Sequence, residues 1–273
     1  TLDGEDAEVA EAIDDHYRPR FQGDKLPSSM VSITLSLSEK IDNLYGSFSV
    51  GNIPKGSADP YALRRQSHAI VELLVRNKLH CRLDKVCEAV AANYKDGASL
   101  TGQILEFILT RAKTLRSDEG IRYDEVDAVL STGSFDFYEL YLRAKSLHEF
   151  RTDAAFSSML LSFKRMNNIL AQFTQKNKGY KLSFNAALLA ENEEKKLSEY
   201  FSSKKGEIEK LIAANSYKEL FSILIGAKPV IDLFFDKIMV MADDVKLRDN
   251  RLALLESVTA PFASLLDFTK ISE

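Results

Sequence analysis

Apolar residues recur at three- and four-residue spacing along most of this 273-residue chain, and no long alternating run commits a stretch to a strand. A chain with that period can bury one stripe per helix and little else, so the fold class it predicts is all-α. Turn formers agree. Twelve glycines and six prolines, about 4% and 2% against roughly 7% and 5% in average proteins, are too few for a sandwich or barrel.

Within that frame, local signals place the elements. Glu5 to His16 reads as a short helix closed before Arg18-Pro19, and Phe21 to Met30 as a loop. Val31 to Phe48 is helical. Asp59-Pro60 supplies an N-cap and a first-turn proline for a helix from Tyr61 to Lys78. Further amphipathic patterns cover 98 to 116 and 122 to 131, joined at Asp118-Glu119-Gly120, and a long one runs from about Phe137 to Phe173. Lys176 to Ser183 reads as a linker. Asn192 to Asn215 is a charged helix, Ser216 with Glu219 forms a capping box for a helix reaching about Ala227, and Pro229 opens a new helix or kinks the old one. A helix around Leu247 to Thr259 follows, with Pro261 forcing another break.

A hydrophobic fraction of 45% with 28% charged residues describes a globular chain, and no stretch is apolar for the roughly 18 residues a membrane helix needs. Cys81 and Cys87, six apart on one expected helix, read as reduced thiols. Thr1 to His16 has seven acids and no Lys or Arg, the reverse of a targeting presequence, and the missing initiator Met suggests an excised piece. The net charge of −4 gives no global case for nucleic acid. Its distribution does: between Arg143 and Lys181 eight bases stand against two acids. Such a segment suits a polyanion if it forms one face, and a solvated surface otherwise.

Several ordered strings go further. Tyr17-Arg18-Pro19-Arg20-Phe21-Gln22-Gly23-Asp24-Lys25-Leu26-Pro27 is followed by Gly51-Asn52-Ile53-Pro54-Lys55-Gly56-Ser57 and Asp59-Pro60-Tyr61-Ala62-Leu63-Arg64-Arg65. Phe150-Arg151-Thr152 and Lys164-Arg165 with Asn168-Ile169-Leu170 come next, then Val230 to Met241 and Leu247-Arg248-Asp249-Asn250-Arg251-Leu252. Together they resemble the C-terminal part of the β subunit of the bacterial tetrameric glycyl-tRNA synthetase, whose last domain is a helical anticodon-binding bundle shared with arginyl-tRNA synthetase. The resemblance implies an HD-like helical region over 1–95, truncated at its N-terminus, a helical connector over 96–175 and an anticodon-binding bundle over 182–273. It also implies tRNA(Gly) and the synthetase α subunit as partners, in a cytoplasmic assembly of two α and two β, with neither membrane nor DNA. Aminoacylation, with its ATP and Mg, belongs to the α subunit, so no catalytic residue, metal or cofactor is expected on this chain.

The first segment resembles a degenerate HD-type domain, whose metal cage needs several converging His and Asp. Only His16 lies there, and Ser38-Glu39-Lys40 replaces the usual Ala-Asp-Lys, so His16 reads as a surface or capping residue. The rival readings are a metal-dependent HD-type phosphohydrolase and a helical protein-interaction scaffold.

The candidate tRNA-binding residues are Arg64, Arg65, Lys164, Arg165, Lys237, Asp244, Arg248 and Arg251. Arg64 and Arg65 either pair with acids such as Asp59 or Asp42, or hold phosphate with their planar forks. Lys164 and Arg165 would track the RNA backbone. Arg248 and Arg251, three apart, share a helix face, and either brace the bundle through Asp232, Asp236, Asp243 or Asp244 or reach anticodon phosphates and cytosine edges. A glycine anticodon ends in two cytosines whose amines need acceptors, which Asp243, Asp244 and Asp249 could supply. Phe234, Phe235, Met239 and Met241, at helical spacing, read as core.

Overall fold

The structure is a computed structural model that describes residues 4–21, 23–113 and 120–272. Gln22 of the first motif, Asp118-Glu119 of the expected joint, and the end of the helix read over 98 to 116 lie outside the described residues. Eleven α-helices occur among the described residues: α1 (Ala7–Asp15), α2 (Met30–Ser49), α3 (Leu63–Arg76), α4 (Leu83–Ala91), α5 (Gly97–Ala112), α6 (Tyr123–Leu130), α7 (Phe137–Arg151), α8 (Phe156–Lys176), α9 (Asn192–Ala213), α10 (Tyr217–Lys237) and α11 (Val245–Ala263). No strand forms among them, so the all-α expectation holds, and none of these helices is long and apolar enough to cross a membrane.

Five local expectations are corrected. α3 begins at Leu63, because Asp59 to Ala62 close a turn in which Ala62 takes a left-handed φ of 53°. The Asp59 carboxylate then caps from a distance, accepting from the Leu63 and Arg64 N–H groups at 2.8 and 3.1 Å. Ser216 stands at the start of α10 without a side-chain cap bond. The reciprocal cap sits instead at α9, where the Glu194 carboxylate accepts from the N–H groups of Ala190 (2.7 Å) and Glu191 (2.9 Å). α10 runs on through Pro229, so no new helix opens there, and α11 runs on through Pro261 without the expected break. Each proline costs a backbone bond, yet Ala227, Ile231 and Phe234 are fully buried around the first and Val258 and Phe262 around the second. The pattern from Phe137 to Phe173 splits into two helices over residues 152–155, where the Asp153 carboxylate accepts from Ala155 N (2.7 Å) ahead of α8. Cys81 precedes α4 while Cys87 lies on it, and both thiols are free.

The chain divides into two compact units, 1–120 with 133–141, and 121–132 with 142–273, which cut the sequence differently from the three segments read from it. In the first unit α2 is central and packs on α1, α3, α4 and α5. Ile41, Leu44 and Tyr45 of α2 meet Ile70, Leu73 and Leu74 of α3 in a core with no solvent access to speak of. Tyr45 carries its hydroxyl inside because it donates to the Cys87 carbonyl (2.9 Å) and sits 2.8 Å from Thr101 Oγ1. In the second unit α8, α9, α10 and α11 form the bundle, with α9 and α10 most extensively paired. Phe163 is its hub, stacked on Phe268 (4.8 Å) and edge-on to Phe262 (5.7 Å). Arg143, itself buried, donates to the Ser264 and Leu265 carbonyls at the end of α11, satisfying acceptors the helix leaves open.

Candidate nucleic-acid interface

In the first unit, Arg64 is occupied. Its guanidinium donates to the carbonyls of Gly56 (2.7 Å) and Ala58 (3.5 Å), holding the turn ahead of α3 rather than pairing with an acid. Arg65 is exposed, without a hydrogen-bond or ion-pair partner among the described residues. It lines a cavity of about 260 Å³ with Tyr17, Arg20, Glu39, Lys40 and Gln66. The other cations there are engaged: Arg20 with Asp24, and Lys40 with the His16 carbonyl and Ser36 Oγ, both at 2.8 Å. Burial lowers the Lys40 pKa, against the pull of Glu39. His16 closes α1, its Nδ1 2.6 Å from the Ile13 carbonyl.

The remaining candidates lie in the second unit, and three of them, Asp244, Arg248 and Arg251, stand at the start of α11. Asp244 is the N-cap of α11 and accepts from Lys246 N (2.8 Å) and Leu247 N (3.1 Å), so its carboxylate is bound to its own helix. Arg248 donates twice to one Asp249 oxygen, at 3.0 and 2.9 Å, with its guanidinium over the Phe173 ring. Tyr180 donates to the other Asp249 oxygen, and Asn250 accepts from Asn185 N at 2.8 Å. The stretch from Lys176 to Ser183, expected as a linker, therefore belongs, from residue 177 on, to a strap over 177–185 pinned across the start of α11.

Arg251 turns inward. It is 7% exposed, pairs with the Glu194 carboxylate and donates to the Met239 carbonyl at 2.9 Å. The same face cannot serve both arginines at the surface, because Arg251 is drawn to a fully buried carboxylate. Bracing is its role here, through Glu194 and not through the four aspartates named from sequence.

The basic stretch from Arg143 to Lys181 is likewise not one face. Arg143 caps α11 from inside, and Arg151 joins Asp124, Glu125 and the Ser272 carbonyl. Lys176, Lys178 and Lys181 are exposed at the end of α8 and along the strap, Lys164 is half-buried, Arg165 is exposed, and Lys237 ends α10 in solvent.

Met239 and Met241 are not core. They are 73% and 52% exposed, because α10 ends at Lys237 and both fall on the connection to α11, beyond the helix's inward stripe. Phe234 is fully buried and Phe235 half-buried. Tyr180 (53% exposed) and Phe184 (38%) add aromatic surface on the strap. Sequence reading passes over these two, although lysines interleaved with aromatics from 176 to 184 are the available signal. Lysines, flat rings and soft apolar side chains thus gather on segments tied to the start of α11, a combination suited to unpaired nucleotides.

A family model described as glycyl-tRNA synthetase beta subunit matches residues 1–131, and one described as DALR anticodon binding domain matches residues 159–273. The glycine–tRNA ligase beta subunit of Syntrophomonas wolfei subsp. wolfei is 40% identical over 273 residues, covering 98% of this chain. The chain belongs to the glycyl-tRNA synthetase β-subunit family. Its relatives in that family include the beta subunits of Mannheimia succiniciproducens, 36% identical over 270 residues, and Clostridioides difficile, 36% identical over 272 residues. In each case 98% of this chain aligns with 39% of the relative, so the chain spans about two-fifths of the length of these glycyl-tRNA synthetase β subunits. The anticodon-binding match takes in all of α9, α10, α11 and the strap, and most of α8, with Lys164, Arg165, Lys237, Asp244, Arg248 and Arg251. Arg64, Arg65 and the cavity that Arg65 lines fall in the other match. Among the described residues no group of three or more His, Cys, Asp or Glu side chains is placed to hold a metal ion.

Proposed function

We propose that this chain binds tRNA(Gly), placing the anticodon arm against the second unit around the start of α11, as the tRNA-holding part of a glycine–tRNA ligase. One observation carries the reading: within the residues that match an anticodon-binding domain, exposed Lys178, Lys181, Tyr180 and Phe184 on the strap and Met239 and Met241 on the α10–α11 connection lie on segments that Asp249, Asn250 and Arg251 bond to the start of α11. In this reading Lys176, Lys178 and Lys181 neutralise phosphates, while Tyr180, Phe184, Met239 and Met241 offer flat or soft surface to unstacked bases. Asp243, exposed beside the Asp244 cap, is an acceptor for a cytosine amine. Arg65, on the first unit, is a further exposed cation for phosphate. Aminoacylation, with ATP and Mg, would take place on a partner α subunit in a cytoplasmic assembly of two α and two β.

Filter binding of the 273-residue chain to tRNA(Gly) and to the same transcript with a substituted anticodon tests this. Tighter binding of the glycine anticodon is expected, and removing Lys176, Lys178 and Lys181 together should flatten the salt dependence by roughly 0.7–0.9 for each phosphate no longer neutralised. Equal affinity for both transcripts would overturn the anticodon assignment.

A further inference from the structure

α8 and α10 pack side by side in the second unit, and one pair on their outer side stands apart from the braced arginines. The guanidinium of Arg165, on α8, lies over the ring of Phe235, in the last turn of α10, with its central carbon 4.1 Å from the ring centroid. Arg143, Arg151, Arg248 and Arg251 all bind carboxylates or carbonyls. Arg165 is exposed and has no hydrogen-bond or ion-pair partner among the described residues. Asp232, one turn before Phe235 on α10, is bonded to Lys228 and Ser162. The ring therefore covers one side of the guanidinium, and the rest of this exposed side chain, whose donors have no partner among the described residues, is open to solvent.

Such an arrangement holds a planar group in advance. Cation–π contact fixes the guanidinium over the ring, so a second planar group pays little to order it. A phosphate is the poorer occupant. The pair sits at the C-terminal end of α10, where the helix carries partial negative charge, and exposed Asp236 adds a full one beside it. A nucleobase suits the same place: its face stacks on the guanidinium, and its exocyclic amine faces a helix end rich in acceptors. Met239, 73% exposed just past the helix, offers more apolar surface, and Lys237 a cation for the sugar–phosphate chain. From sequence alone Lys164 and Arg165 both read as backbone contacts; the geometry separates them.

We propose that Arg165 and Phe235 form a stacking platform for one unpaired base of the RNA held by the second unit. This rests on the tRNA-binding reading above and assigns Arg165 to a base rather than a phosphate.

Arg165→Lys separates the two roles, because lysine keeps the charge and loses the plane. The probe is tRNA(Gly) transcript bound to the full 273-residue chain across a salt series, with Arg165→Lys, Arg165→Ala and Phe235→Leu, and thermal melts alongside. For a platform, Arg165→Lys and Arg165→Ala should each weaken binding roughly tenfold or more, the scale of one base stack, and Arg165→Lys should leave the salt slope unchanged. Phe235→Leu should weaken binding in the same direction. Should Phe235→Leu melt early, the two Arg165 variants, at an exposed position, decide alone. If Arg165→Lys binds like the parent while Arg165→Ala flattens the salt slope by about one phosphate, the residue is a phosphate clamp and the platform is overturned. If both Arg165 variants bind like the parent, Arg165 takes no part. Should the parent itself bind no tRNA, the tRNA-binding reading falls, and the platform with it; parental binding with unaffected Arg165 variants removes the platform alone.

Discussion

Arg251 and Glu194 join the second turn of α11 to the first turn of α9 through an ion pair whose side chains are 8% and 1% exposed. The remaining Glu194 oxygen accepts the two N–H groups that open α9, and a second Arg251 nitrogen holds the Met239 carbonyl. One pair thus satisfies a helix start and fixes the turn between α10 and α11.

Arg251→Ala should accordingly act on stability before it acts on RNA. Removing one partner leaves a buried charge, at a cost of about 3–5 kcal/mol. Chemical denaturation should show that loss, and any drop in tRNA affinity should vanish once binding is measured well below the variant's melting temperature. A variant that melts like the parent yet loses anticodon preference would return Arg251 to the base-reading group.

Acid should loosen the C-terminus through Asp124. Burial alone would raise this carboxyl, but the Ser272 N–H (2.7 Å) and the Arg151 guanidinium (2.7 Å) outweigh it and hold the pKa down at about 2. A depressed carboxyl stabilises the fold fully above its unfolded value near 3.8, and that contribution is lost as pH falls from about 4 towards 2. It amounts to about 2 kcal/mol. Asp124→Asn should remove that part of the acid transition and speed exchange of the Ser272 amide at neutral pH; an unchanged acid limb would contradict it.

Two glycines of α5 should respond in opposite directions. A Cβ on Gly97 would stand 2.1 Å from the Ala91 carbonyl oxygen and 2.8 Å from two more backbone atoms, none of which can swing aside. Gly97→Ala should therefore destabilise by roughly 1–3 kcal/mol. Gly102, exposed in the same helix, meets nothing within 4 Å, and Gly102→Ala should stabilise by roughly 0.5–1 kcal/mol by removing the helix cost of glycine. Urea midpoints of the two variants shifting the same way would refute the packing described for this corner.

What the sequence determined by itself was local and one-dimensional. The three- and four-residue period placed the helices, since a stripe of buried side chains is written along each segment, and the ordered motifs identified the family. Ends were less legible where a contact from outside decided them. α10 passes Pro229 because its inward face is buried on both sides of the proline, and α3 waits for Leu63 because the turn before it closes first. The site depended on tertiary structure most of all. Arg248 and Arg251 are equivalent in sequence, three residues apart on one helix, but a carboxylate 57 positions away withdraws only the second. Met239 and Met241 continue the spacing of Phe234 and Phe235, yet the helix has already ended beneath them. A cation's freedom and a side chain's exposure are set by which distant elements pack against it, and helical period carries no record of that approach.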